Sequence, residues 1–225
     1  MKNYIYLLSV FVYIPYAYSE SCLGEKYNEV ITEYLSIMNE SYSRVKNISD
    51  CQVNSSLNNL VCSNDKLKNE MHLLSIGEIY AYENATHTPV ADYSTYNNDF
   101  KDWLNNLVKS EKNKDIALRK LCYVIKTKLS DDFGSDFSYT PDIYEVISSK
   151  ANSNGVVVYN LSSIIYLGKS CDAVVSGYKD IKSIWYNDGD QFVIAQSDKN
   201  GKFEEKYRFN HDDKVAKLNC EKPKN

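Results

Sequence analysis

The sequence predicts an α+β protein: an N-terminal disulfide-linked helical domain followed by a small antiparallel β-sheet or barrel-like domain. Three observations predict it. Up to residue 129, apolar residues recur at steps of three and four, the period of an amphipathic helix. After residue 150 the period moves toward two, in short runs rich in Val, Ile, Tyr and Phe with turn signals between them. Six cysteines, an even number, follow an N-terminal leader-like segment, as in exported chains that form disulfides.

The chain has 225 residues, of which 43% are hydrophobic, enough for a packed core. Its net charge is −4, with 26 Lys+Arg against 30 Asp+Glu and no long basic run. That balance argues against nucleic acid as the main partner, because phosphate contacts need clustered cations.

Residues 1–19 read as a secretory signal peptide. Lys2 gives a short positive start, an apolar run extends from Ile5 to Ile14, and Ala17-Tyr18-Ser19 offers small residues for a cut before Glu20. The run is too short to span a bilayer, and no later segment reaches that length, so no transmembrane anchor is expected. The expected localisation is periplasmic or secreted. Removing residues 1–19 takes away Lys2 and carries the net charge to −5.

The helical domain is expected over 20–130. Apolar positions from Leu23 to Val45 mark a first helix. Ser63-Asn64-Asp65 supplies a cap for a second, with Leu67, Met71 and Leu74 on one face. Residues 84–98, with a proline and many short polar side chains, read as a loop. Phe100, Trp103, Leu104, Leu107 and Val108 form a third helix, and Ile116 to Leu129 a fourth. Residues 131–150 read as a linker. The β domain is expected over 151–225, with strands at 156–160, 163–167, 172–176, 181–186, 191–196 and 202–209, and a last one at 215–219. Asp188-Gly189 and Asn200-Gly201 mark hairpin turns, where the backbone needs a positive φ.

All six cysteines, Cys22, Cys51, Cys62, Cys122, Cys171 and Cys220, lie in the exported part. The residues alone leave their pairing open. No Cys-x-x-Cys pair occurs, so neither a zinc ribbon nor a thioredoxin-type site is expected. The sequence points to no enzyme and no cofactor. His72, His87 and His211 are the only imidazoles, and no Gly-x-Ser-x-Gly elbow accompanies them. Glu25, Glu29 and Glu33 recur at spacing four and read as one solvated helix face. Asp131, Asp132 and Asp136 lack the spacing of a calcium loop. Trp185-Tyr186 on a strand face opposite ways, so one of the two is a candidate partner-binding aromatic beside the Asp188-Gly189 turn. Sequons occur at Asn39, Asn47, Asn54, Asn84 and Asn160.

Asp50-Cys51, then ten residues, then Cys62-Ser63-Asn64-Asp65 and Leu67, resembles the opening of the LprI-like lysozyme-inhibitor domain. That family has an Asp-Cys, a short stretch, and a Cys-Ser-Asn/Asp-x-x-Leu that begins a helix. Trp103-Leu104 resemble its later Trp-Leu pair, and the likeness covers roughly residues 50–130. Where the family pattern carries two further cysteines, this chain has Cys122 alone. The resemblance implies an exported helical domain that binds a protein partner, lysozyme or another peptidoglycan hydrolase, with no catalytic residues. It also implies a Cys51–Cys62 bridge. Beyond it, Cys171–Cys220 is expected to tie the first and last parts of the sheet, and Cys22–Cys122 follows by elimination. Two other readings stand beside inhibition: periplasmic immunity against a secreted effector, and a structural or accessory envelope protein.

Overall fold

The computed structural model describes residues 21–223; the expected leader and its cleavage site after Ser19 lie outside them. Five helices precede a seven-stranded antiparallel sheet, so the chain is α+β. The helices are α1 (Asn28–Tyr42), α2 (Ser56–Val61), α3 (Asp65–Thr86), α4 (Asn98–Ser110) and α5 (Lys114–Phe133).

Asparagine side chains start two of the long helices. Asn64 accepts from the amides of Lys66 and Leu67, and Asn113 from those of Asp115 and Ile116. Each satisfies donors that a helix N-terminus leaves free. The helices bury one shared core: Ile31 of α1, Leu57 and Val61 of α2, Leu67, Met71 and Leu74 of α3, Leu104 of α4, and Leu121, Ile125 and Leu129 of α5. Central α3 packs on α5 closely enough to require Gly77, where a Cβ would stand 2.6 Å from Asp132 Oδ2.

Three disulfides are formed: Cys22–Cys122, Cys51–Cys62 and Cys171–Cys220. The first staples the segment before α1 to α5. The same segment is held by Glu70 of α3, which is 0% exposed. Its carboxylate accepts from Ser21 Oγ at 2.6 Å, Cys22 N at 3.0 Å and Leu23 N at 2.9 Å. A buried carboxylate needs such donors to replace its lost hydration.

The strands are β1 (Ser148–Ala151), β2 (Gly155–Tyr159), β3 (Ile164–Gly168), β4 (Asp172–Val175), β5 (Ser183–Asp188), β6 (Gln191–Ser197) and β7 (Phe203–Asn210). Each pairs with the next in a meander from β1 to β7. The sheet is not closed into a barrel. Across the gap between its edges, the chain just before β1 meets β7 through an isolated parallel bridge, Tyr144 to Phe209. Alternate residues of β2 to β7, among them Val156, Val158, Ile165, Leu167, Trp185, Phe192, Ile194 and Phe209, form one apolar cluster. Cys171–Cys220 joins the β3–β4 turn to the C-terminal segment beside it.

Three boundaries differ from the sequence reading. Strand β1 begins inside the expected linker 131–150 and runs one residue past it. Helix α2 forms between Cys51 and Cys62, where no element was expected. Residues 215–219 are not a strand: Ala216–Leu218 make a 3-10 turn, and Asn219 adopts the left-handed conformation at φ 51°.

The two units meet along α5. Asn160 gives its Nδ2 to Tyr123 Oη at 2.9 Å and to the Glu145 carbonyl at 2.8 Å, while Arg119 pairs with Glu145 at 2.7 Å. Ile147 and Leu161 pack onto the helical core.

Candidate partner-binding cleft

Where α5 meets the end of the sheet, a cleft of about 830 Å³ opens. Five stretches line it: the α4–α5 loop, the first turns of α5, the entry to β1, the β5–β6 turn, and the turn after β7. Local chemistry fixes each wall. Glu111 leaves α4 in an extended conformation, which lets the chain reverse before Asn113 caps α5. Gly189, at φ 62°, makes the tight turn that puts Asp190 at the cleft. Asp212 Oδ1 accepts from Lys214 N at 2.9 Å and Val215 N at 3.1 Å, a side-chain turn that ends β7. Its Oδ2 accepts from Ser149 Oγ at 2.7 Å and ties that turn to β1.

The lining carries four carboxylates, Glu111, Asp190, Asp212 and Asp213, and three cations, Arg119, Lys120 and Lys214. All three cations already face protein acceptors. Arg119 pairs with Glu145, Lys120 with Glu111 at 2.5 Å, and Lys214 reaches the Ser149 carbonyl. The Asp213 side chain, by contrast, is 90% exposed and faces the His211 ring at 2.9 Å. Carboxylates thus outnumber cations on the lining by four to three, and Asp190 and Asp213 are exposed at its surface. Burial raises the Glu145 carboxyl behind the cleft, against the opposing pull of Arg119 and Asn210.

Ser149 and His211 share this cleft, but each is committed to a different carboxylate, Ser149 to Asp212 and His211 to Asp213. That is not a nucleophile held against a base. His72 lies on α3, where burial lowers its pKa, and His87 ends α3 in the left-handed conformation. Glu29 and Glu33 lie exposed on α1, while Glu25 precedes the helix and pairs with Lys66 at 2.6 Å. The three aspartates near the end of α5 diverge: Asp136 accepts from the Tyr34 hydroxyl, Asp132 turns to α3, and Asp131 is exposed. Among the described residues, no group of three or more His, Cys, Asp or Glu is placed to hold a metal ion.

Trp185 and Tyr186 do face opposite sides of β5, yet neither is offered to a partner. Trp185 is 1% exposed, in the sheet core, with its Nε1 donating to the Gly168 carbonyl at 2.8 Å. Tyr186 is 4% exposed, covered by Val193, Ala195 and Ile184 and overlain by Lys222. Both faces of the sheet are covered at this point, so alternation exposes neither ring. The exposed apolar side chains lie elsewhere on the sheet: Tyr159, Ile164 and Val174 on the outer face of β2–β4, and Tyr178 beyond it. Their strands are apolar at consecutive positions, so periodicity gave no sign of which side faces water. Of the sequons, Asn39, Asn54 and Asn84 are exposed, whereas Asn47 and Asn160 use their Nδ2 in internal hydrogen bonds.

No family model matches the chain. No curated protein matches it, and no solved structure does. The family resemblance therefore rests on the residues quoted for it. Among the described residues, no helix is long and apolar enough to cross a membrane.

Proposed function

We propose that the chain is an exported, non-catalytic binding protein that inhibits a cell-wall hydrolase such as lysozyme. The observation that carries this reading is the Cys51–Cys62 bridge, which closes its loop immediately before the Asn64-capped α3. The LprI-like pattern has the same bridge at the same place, at the entry to a helix. Three disulfides support an oxidising compartment. The acidic cleft supplies the contact surface, since outward carboxylates attract a basic partner and speed its encounter.

The test is to titrate the oxidised protein against lysozymes in a peptidoglycan-lysis assay and to measure association at two salt concentrations. Lysis should fall to zero at a fixed stoichiometry, and Asp190→Asn with Asp213→Asn should slow association and weaken its salt dependence. No complex and no inhibition at about 10 μM protein, a concentration that detects even micromolar binding, would remove the hydrolase reading. Capture of a secreted peptidoglycan-degrading effector in place of lysozyme would turn inhibition into immunity.

A further inference from the structure

Where α3 and α5 touch at Gly77, the seam holds an acid that has lost its water and gained no donor. Asp132, in the last turn of α5, points its Oδ2 into the space that a Cβ on Gly77 would occupy. That oxygen is buried and has no hydrogen-bond partner among the described residues. The next residue, Phe133, leans on the same glycine, with its Cε2 2.9 Å from where the Cβ would stand. The Phe133 ring stacks on Tyr80 of α3 at 5.6 Å and meets Tyr34 of α1 at 5.2 Å. It also meets Phe137, in the 3-10 turn after α5, at 5.8 Å. Asp132 thus sits beside the one ring that ties the end of α5 to both α1 and α3. The helix stops immediately afterwards, at Gly134 with φ 68°, so this turn can fray while the rest of α5 stays packed.

The surrounding groups oppose ionisation. Glu78 faces Asp132 from α3, and Asp131 and Lys128 face it from α5. Tyr96 faces it from the α3–α4 connection, with the ring of Tyr82 of α3 at 5.4 Å. From α1, Tyr34 gives its hydroxyl to Asp136 and offers Asp132 nothing. Lys128 is the one cation among these groups, and Glu78 already holds it at 2.7 Å. The last turn of α5 carries no basic residue, and its free carbonyls form the negative end of the helix. A neutral acid tolerates such a place, whereas a carboxylate without donors does not. Burial first, then the Glu78 charge, holds the proton on Asp132 up to about 7. We propose that this seam is a proton-operated clasp: protonated Asp132 lets the last turn of α5 close on Gly77, and loss of the proton drives the carboxylate out to water, unseating Phe133 and fraying that turn. The closed form binds the proton and the open form releases it. Closure is therefore favoured below the midpoint, and above it each pH unit multiplies the open-to-closed ratio by up to about ten.

Two measurements on the oxidised protein test the clasp: a titration of the Asp132 carboxyl carbon by NMR, and amide hydrogen exchange from about pH 6 to about pH 8.5, corrected for the intrinsic rate. The carboxyl should titrate above about pH 6. Exchange at Asp132, Phe133 and Gly134 should rise at least about fivefold across that range, while Val158 and Ile194 of the sheet stay unchanged. In Asp132→Asn the rise should vanish, because the amide cannot ionise. The clasp is overturned by a midpoint in the ordinary carboxylate range, or by an equal rise in the variant. It is equally overturned if the carboxyl titrates as expected with no rise in exchange, which would mean that Lys128 receives the carboxylate in place. Should Asp132→Asn not fold, Glu78→Gln keeps the test. Without the Glu78 charge, and with Lys128 released, the midpoint should fall by at least about 0.5 pH unit, and the onset of exchange should fall with it. An onset that does not follow the midpoint separates the opening from this proton and sinks the proposal.

Discussion

In the sheet, every strand pairs with the strand that follows it, whereas the helical unit depends on ties between distant parts of the chain. Cys22 meets Cys122 across 100 positions, and Ser21, Cys22 and Leu23 reach Glu70 across 47–49. The sheet's own disulfide spans 49 positions, but it reinforces neighbours already joined by a meander. Local pairing restores itself when one contact is lost, because the loops it must close are short. A non-local tie has no such substitute. Substitutions of similar chemistry should therefore cost more in the helices than in the sheet.

The strongest way to break this contrast is to remove each long disulfide. Cys22→Ala/Cys122→Ala should lose about 4–5 kcal/mol and Cys171→Ala/Cys220→Ala about 4, by loop-closure entropy alone. The contrast adds that the first variant should also lose the ordering of the segment before α1. Urea unfolding gives the energies, and hydrogen exchange at Cys22 and Leu23 reads the local loss. Equal protection in the two variants would remove the distinction between the units.

Next in size is Glu70→Leu, at about 3 kcal/mol, because two backbone amides and a hydroxyl lose a charged acceptor while buried. Its melting temperature should fall, with the sheet's exchange protection unchanged below the transition.

A pH experiment sharpens the comparison inside the α3–α5 contact. Asp132 faces Glu78 of α3 and Lys128 and Asp131 of its own helix, with Tyr96 nearby from the α3–α4 connection. Burial first, then the Glu78 charge, raises its carboxyl from 3.8 to about 7. The folded state thus holds this proton more tightly than the unfolded chain. Its contribution is fully present below pH about 4, declines as pH rises toward 7, and is lost above. Asp132→Asn should flatten that slope, by roughly 1–2 kcal/mol between pH 4 and 8 once the solvent reaching this half-buried group is allowed for. Parallel stability curves for the parent and the variant would refute it.

The smallest effect tests whether the two units unfold as one. Tyr123→Phe removes the hydroxyl that Asn160 engages, and should cost about 1 kcal/mol. Burial raises this phenol to about 12, so the loss should not vary with pH in the neutral range. A calorimetric trace that splits into two transitions in the variant would show that α5 and the sheet are only lightly coupled.

What the sequence disclosed follows from the same contrast. The four long helices were legible because Leu67, Met71, Leu74, Leu121, Ile125 and Leu129 repeat at helical spacing, and Asn64 announced one start. Gly189 and Gly201, at φ 62° and 80°, announced two turns. Helix α2 has only six residues, too few for a period to show. Strand β1, Ser-Ser-Lys-Ala, is an edge strand with no apolar alternation. The segment 215–219 has strand-like composition, yet the Asp212 turn and the bridge at Cys220 bend it. The acidic cleft was illegible for a deeper reason: five stretches between residues 110 and 214 build it, and no local pattern announces their meeting.

The bridge between Tyr144 and Phe209 bears on how the protein behaves when crowded. An unpaired edge strand is a template for pairing with other molecules. Tyr144 takes up the outer side of the last residues of β7, donating its amide to the Arg208 carbonyl at 2.7 Å and accepting from Asn210 N at 3.0 Å. At the opposite edge, Lys214 occupies the Ser149 carbonyl of the short strand β1, and Lys150 adds a charge. Each border of the open sheet is thus partly blunted, one end of β7 by the segment before β1 and β1 by the turn after β7. Loosening residues 138–147 would uncover this end of β7, and a folded molecule would then offer it for pairing with the sheet edge of another.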